Sequence, residues 1–326
     1  MALGRNNKKK YREAQTVDNA AKTLLANIRF MSVDNPVRAI AITSTVPNEG
    51  KTFVTANLAR AIATSGERAL LVECDMRRRS MAGILGTHAA HGLYSVMSGQ
   101  VPLLEAAVIT DVPNLYFLDA EPHIPNPSDL INSQRFASLV ASAREVFDYV
   151  VFDTPPVGTF VDAAVLGTKV DAVFMVVREG FTKRAEILAA ADQLEHAGCN
   201  LAGVVMNCCE RTSSEYYYEY YYTRGEAAEE SAPQPADVPR AADGQRAHTG
   251  GGSAVRGATA RATQVMPEVP QHGQVSAAQQ PAVPQAQRAG GVHAASQPMD
   301  TSEYVALAEQ LAARNKANAS ADAPRD

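Results

Sequence analysis

Gly50-Lys51-Thr52 is the triplet in this chain best suited to chemistry, because an ammonium and a hydroxyl follow directly on a residue without a side chain. The triplet ends the stretch Thr43–Thr52, which follows the apolar run Ala39-Ile40-Ala41-Ile42 and precedes the helix-like Thr55-Ala56-Asn57-Leu58-Ala59. A strand feeding such a loop and then a helix aims several backbone N–H groups and a helix N-terminus at one spot, which suits a chain of phosphates. Lys51 would reach the outer phosphates of a nucleotide, and Thr52 would hold Mg²⁺. Pro47, Asn48, Glu49, Gly50, Lys51, Thr52 and Phe53 are therefore the candidate nucleotide-binding residues. The usual pattern has glycine at the position of Thr45, and Pro47 and Asn48 stand where further glycines are common.

Nucleotide chemistry also needs carboxylates beside the metal, at the carboxyl ends of neighbouring parallel strands. Two stretches offer them. Ala69-Leu70-Leu71-Val72-Glu73-Cys74-Asp75-Met76-Arg77 reads as a buried strand ending in two carboxylates, whose side chains would share a face if the strand persisted. Tyr149-Val150-Val151-Phe152-Asp153-Thr154-Pro155-Pro156 reads as another, stopped by proline and carrying Asp153 at its tip. One apolar run ending in aspartate is ordinary; this order, after a Gly-Lys-Thr loop, is not.

Around these motifs strand-like and helix-like segments alternate. A helix over Val17–Phe30 precedes the strand at Ala39, and a helix runs on through Ala63. After the strand at Ala69 come a helical region at Leu93–Met97, Leu115-Tyr116-Phe117-Leu118, and a helix over Asp129–Val146. Beyond Asp153 follow a helix at Asp162–Leu166, the strand Ala172–Val177, a helix over Lys183–His196 and the strand Leu201–Asn207. The expected fold is α/β, a mostly parallel sheet of the P-loop NTPase kind with helices on both faces, followed by a disordered tail. Right-handed crossovers would gather the motif-bearing strand ends at one sheet edge.

Composition sets the outer limits of the folded part. From Glu226 onward the chain has no Phe, Trp, Ile or Cys, and Tyr304 is its one tyrosine, so it buries too little apolar area to offset its ordering entropy. Residues 1–16 read as a flexible basic terminus carrying Lys8-Lys9-Lys10-Tyr11-Arg12, 17–212 as the folded domain, 213–224 as a tyrosine cluster and 225–326 as the low-complexity tail. Within the tail, Tyr304, Leu307, Ala308 and Leu311 recur at helical spacing, marking a short docking helix within 301–314 or one that frays in isolation. No apolar run suits a signal peptide or membrane span, and the net charge of -5 argues against nucleic-acid binding. Cys74, Cys199, Cys208 and Cys209 lack metal-ligand spacing and read as reduced, packed thiols.

Together these motifs resemble the bacterial tyrosine kinases (BY-kinases), over about Asn19 to Tyr222. The family's phosphate loop, Ser/Thr-x-x-Pro-x-Glu-Gly-Lys-Ser/Thr, is matched by Ser44–Thr52. Its Asp-x-Asp-x-Arg is matched by Glu73-Cys74-Asp75-Met76-Arg77, and its Asp-x-x-Pro by Asp153–Pro156. Asn126-Pro127-Ser128-Asp129-Leu130 and Gly203-Val204-Val205-Met206-Asn207 are similar to recurring family segments. The resemblance implies transfer of the γ-phosphoryl of Mg·ATP to tyrosine by a separate cytoplasmic kinase, recruited to the inner membrane face by a transmembrane polysaccharide co-polymerase or adaptor. A cognate tyrosine phosphatase and self-association would accompany it. It assigns catalysis to Lys51, Glu73, Asp75 and Asp153, with Glu73 or Asp75 taking the tyrosine proton. Thr52, Asp75 and Asp153 would arrange the metal, while Arg77 steadies phosphate or an acidic partner and Asn207 recognises the base.

The tyrosine cluster agrees with that implication. Tyr216, Tyr217, Tyr218, Tyr220, Tyr221 and Tyr222 place six of the chain's 11 tyrosines within seven positions, too dense for all to be buried. On an accessible segment they would be phosphoryl acceptors for a neighbouring copy; the plainer reading is a sticky, aggregation-prone patch. Three departures stand out: Glu73 replaces the usual aspartate, the Glu-x-x-Arg-x-x-Arg of ring assembly is Asn19, Lys22 and Leu25 here, and the tail after Tyr222 is unusually long. The competing readings are a cell-division or partition ATPase, whose extra loop lysine is Val46 in this chain, and an ATP-binding scaffold without kinase activity.

Overall fold

The computed structural model describes residues 5–31, 36–124, 126–209 and 301–321. The tyrosine cluster and most of the tail lie outside these residues.

The strands are β1 (Ala39–Ser44), β2 (Ala69–Glu73), β3 (Val108–Ile109), β4 (Leu115–Leu118), β5 (Tyr149–Asp153), β6 (Ala172–Arg178) and β7 (Leu201–Asn207). They form one sheet in the order β3-β4-β2-β5-β1-β6-β7. Every pairing is parallel except that of β3 with β4. The central strands are apolar throughout because both faces are covered.

Alternation along each strand divides the core in two. Ile40, Ile42, Leu71 and Val151 point to one face, beneath α2 (Lys51–Thr64) and α1 (Arg5–Met31), whose Leu24, Leu25 and Ile28 pack onto α2. Ala39, Ala41, Val72 and Phe152 point to the other. That face is covered by α7 (Gln134–Val146), α8 (Asp162–Gly167), α9 (Arg184–His196) and α10 (Thr301–Ala321), and α10 lies along the edge strand β7.

Two features differ from the periodicity reading. α1 begins at Arg5 rather than near Val17. Its first turns are rich in Lys, Arg, Gln and Glu, which favour helix without supplying an apolar stripe. The helix expected over Asp129–Val146 is two, α6 (Pro127–Asn132) and α7. Ser133 takes an extended conformation between them, and its hydroxyl accepts the N–H of Phe136 at 3.2 Å, capping the second helix.

Sheet order places the site. β5 lies between β1 and β2, with Ile42 opposite Asp153 and Glu73 opposite Asp153 in register. The phosphate-loop strand and both acidic strands therefore end side by side.

Candidate active site

The phosphate loop turns by two residues in the left-handed region, Asn48 at φ 70° and Gly50 at φ 86°. Asparagine is among the few side chains that tolerate this conformation, so it stands in for the glycine of the strict pattern. Gly50 then caps α2, and Lys51, Thr52 and Phe53 form its first turn. Unpaired N–H groups at such a turn suit an anion.

Lys51 is the hub of the charged cluster. Its Nζ lies 2.9 Å from Asp75 and 3.3 Å from Asp153. Asp153 is fully buried, and its carboxylate also accepts Thr52 Oγ1 at 2.8 Å and Thr55 Oγ1 at 3.1 Å. Burial works to lower the lysine pKa, but the two carboxylates outweigh it and hold the ammonium above its usual range. Burial pushes Asp153 upward, against the opposing pull of Lys51. Asp75 is further fixed by the Arg78 N–H, 3.0 Å from its Oδ1.

Glu73 goes elsewhere. The strand stops at Glu73 instead of persisting through Asp75, so the two acids do not share a face. The Glu73 carboxylate accepts the N–H groups of Ser80 at 2.6 Å and Met81 at 3.1 Å, at the start of α3 (Met81–Leu85). Burial raises its pKa to about 7, and its Oε2 has no partner. Arg77 meets an acidic partner within the chain. It pairs with the fully buried Asp162 at 2.7 Å and lies over the Phe160 ring, 4.2 Å from its centroid.

Asn207, proposed for base recognition, is buried and donates Nδ2 to the Glu49 carbonyl at 2.9 Å. Glu49 is itself a structural anchor. Its carboxylate accepts Thr45 Oγ1 at 2.7 Å, the Val46 N–H at 2.8 Å and the Thr182 hydroxyl. Pro47 and Asn48 are exposed on the outer side of the turn, where Asn48 Oδ1 receives Arg78 at 2.9 Å.

Sequence reasoning missed Thr55, Gly158 and Thr182. Thr55 was within reach, since it lies one helical turn beyond Lys51 on the same face. Gly158 and Thr182 arrive from distant loops: a Cβ on Gly158 would lie 2.4 Å from the Thr45 carbonyl, so only glycine lets that loop close on the phosphate loop.

The donor set fits a hard divalent cation. Two carboxylates and a hydroxyl converge on a point where the acids already hold the positive charge of Lys51, and oxygen ligands suit Mg²⁺. No cluster of three or more His, Cys, Asp or Glu side chains able to hold a metal occurs among the described residues. No helix among the described residues is long and apolar enough to cross a membrane.

Residues 37–183 match the family model described as AAA domain. The chain is 30% identical over 208 residues to the tyrosine-protein kinase CpsD of Streptococcus agalactiae, covering 64% of this chain and 90% of that one. It is 32% identical over 207 residues to the tyrosine-protein kinase wzc of Salmonella typhimurium, covering 62% of this chain but 29% of that longer protein. The kinase domain of the Escherichia coli tyrosine kinase ETK superposes with a TM-score of 0.56 at 29% identity, over 58% of this chain and 74% of that domain.

Proposed function

The chain belongs to the bacterial tyrosine kinases and is an enzyme of that class, and from that premise we propose that it transfers the γ-phosphoryl of ATP to the six tyrosines within residues 216–222 of a neighbouring copy. The observation that carries this reading is the convergence of Lys51, Thr52, Asp75 and Asp153 at the N-terminus of α2. The α2 N-terminus and Lys51 would bind the phosphate chain and offset the charge spread over the transferring group. Thr52, Asp75 and Asp153 would hold Mg²⁺, which would supply positive charge against the phosphates.

Asp75 is the better-placed proton acceptor. It sits beside Lys51, whereas Glu73 is occupied with α3. The tyrosine oxygen forms the new bond to phosphorus, the bond to the β-phosphate oxygen breaks to leave ADP, and the phenolic proton passes to Asp75. Each phosphate adds about −1.5 to −2 charge, so a modified cluster would repel itself and leave an acidic site.

The same reading places the kinase in the cytoplasm, at the inner membrane face beside a polysaccharide co-polymerase or adaptor, with a tyrosine phosphatase opposing it. Capsule or exopolysaccharide assembly would be the process controlled. A Lys51→Met full-length chain mixed with wild type tests the transfer between copies. Label on the inactive chain supports it, and label confined to the wild-type chain contradicts it.

A further inference from the structure

The helix α10 is tied to the phosphate loop by a short series of hydrogen bonds. Tyr304, Leu307 and Leu311 are 2–3% exposed and belong to the same core as Ile187, Leu194 and Met206. Polar contacts flank them: Arg184 reaches Gln310 at 3.1 Å, and Arg314 reaches Asp192 at 2.7 Å and Glu195 at 2.6 Å.

At the near end of this helix the Tyr304 hydroxyl lies 2.5 Å from the Thr182 carbonyl and 3.1 Å from the Arg178 carbonyl. These carbonyls close the turn between β6 and α9, in which the Arg178 N–H donates to Thr182 Oγ1 at 3.0 Å. The Thr182 hydroxyl meets both the Glu49 carboxylate and, at 3.2 Å, the Arg178 carbonyl. A hydroxyl has one proton to give. The Thr182 proton goes to Glu49, its shorter contact, and the single Tyr304 proton goes to the nearer Thr182 carbonyl, so Tyr304 holds the backbone of the residue that supports Glu49. Glu49 in turn pins Thr45 and Val46 at the entry of the loop and directly precedes Gly50-Lys51. The second support of Glu49, Asn207, ends the strand that α10 lies along.

We propose that α10 is an intramolecular clamp on the phosphate loop, with Tyr304 as a positioning residue that acts through Thr182 and Glu49 to favour nucleotide binding. Residues 210–300 separate the clamp from β7 in sequence, so it closes on the domain from a distant part of the chain. Coupling of this kind is reciprocal: if docking tightens ATP, ATP stabilises docking. The inference rests on the reading of residues 45–52 as the ATP-binding loop.

The test uses the full chain, with Mg·ATP affinity measured by titration beside the steady-state constants. Tyr304→Phe keeps the ring and removes only the hydroxyl, and Leu307→Glu with Leu311→Glu detaches the whole helix. Loss of one positioning hydrogen bond predicts roughly three- to tenfold weaker ATP binding in Tyr304→Phe, with kcat at saturating ATP within about twofold of wild type. The double variant weakens ATP at least as much. In wild type, Mg·ATP slows amide exchange across 301–314. Unchanged affinity and unchanged exchange overturn the clamp, as does a fall in kcat and melting temperature with no shift in affinity. Should the double variant not fold, Tyr304→Phe and the exchange measurement still decide. A wild-type chain that does not bind ATP at all would instead overturn the reading of the loop itself.

Discussion

Glu73 and Asp153 stand opposite each other in register on neighbouring parallel strands, yet only Asp153 faces Lys51. Asp153 collects the lysine and two threonine hydroxyls, while Glu73 turns to the backbone at the start of α3. The two acids are thus neighbours in the sheet with separate duties, one toward the charged cluster and one toward the loop that follows β2.

Glu73→Gln separates these duties. Glutamine still accepts the two N–H groups through its carbonyl, so phosphoryl transfer stays within about tenfold of wild type, whereas Asp75→Asn loses about 10²-fold or more through loss of the base. Stability moves with pH. The folded pKa of Glu73 is raised from 4.5 to about 7, chiefly by burial, so the folded state keeps a proton that the unfolded state has lost between those values. That contribution is fully present below pH 4.5 and disappears as pH rises through about 7. Urea titrations of Glu73→Gln therefore show a flatter pH profile over that window and a gain on the order of 1–3 kcal/mol at pH 8 relative to wild type.

Lys51→Met removes the cation between two buried acids. Activity falls by about 10²–10³-fold or more, the scale of losing a charge aimed at the transition state. Without the ammonium, the raised pKa of Asp153 rises further, so the variant's deficit grows with pH as the acids ionise. Denaturation at pH 5 and pH 8 should show a larger loss at pH 8, on the order of 3–5 kcal/mol.

Arg77→Ala leaves Asp162 fully buried without its ion pair, and one oxygen of that carboxylate already lacks a partner. The expected loss is about 2–4 kcal/mol of stability, read from urea midpoints. Arg77→Lys recovers part of it, because a lysine restores the charge without the planar stack on Phe160.

Gly158→Ala forces a methyl against the Thr45 carbonyl, where 2.4 Å separates the ideal Cβ from the oxygen. A shift of the phosphate-loop backbone follows, with a cost of about 1–3 kcal/mol and weaker ATP binding. Gly66→Ala, just past the far end of α2, is the informative partner, because its Cβ would meet nothing within 4 Å and strain there comes only from φ +97°. It should destabilise the chain while leaving ATP affinity close to wild type.

The fold and the charged cluster were legible because both rest on short-range pattern. Apolar runs ending at Ser44, Glu73 and Asp153 mark buried parallel strands, and the Gly-Lys-Thr loop marks where their ends must meet. The destination of Glu73 was not legible, since alternation predicts a shared face with Asp75 only while the strand continues. The partners of Arg77 and Asn207 depend on Asp162 and Glu49, remote in sequence and brought close by packing. The helix α10 carried a visible stripe at Tyr304, Leu307 and Leu311, but nothing in that spacing says which surface receives it.

The most direct measurement is mass-spectrometric mapping of phosphotyrosine after incubating the purified chain with Mg·ATP, beside the Lys51→Met chain, with and without a cytoplasmic peptide of the neighbouring adaptor. The account predicts phosphate on Tyr216, Tyr217, Tyr218, Tyr220, Tyr221 or Tyr222 in the wild type and none in the variant. ATP binding or hydrolysis with no phosphotyrosine under either condition would contradict it and make the chain an ATPase switch or scaffold.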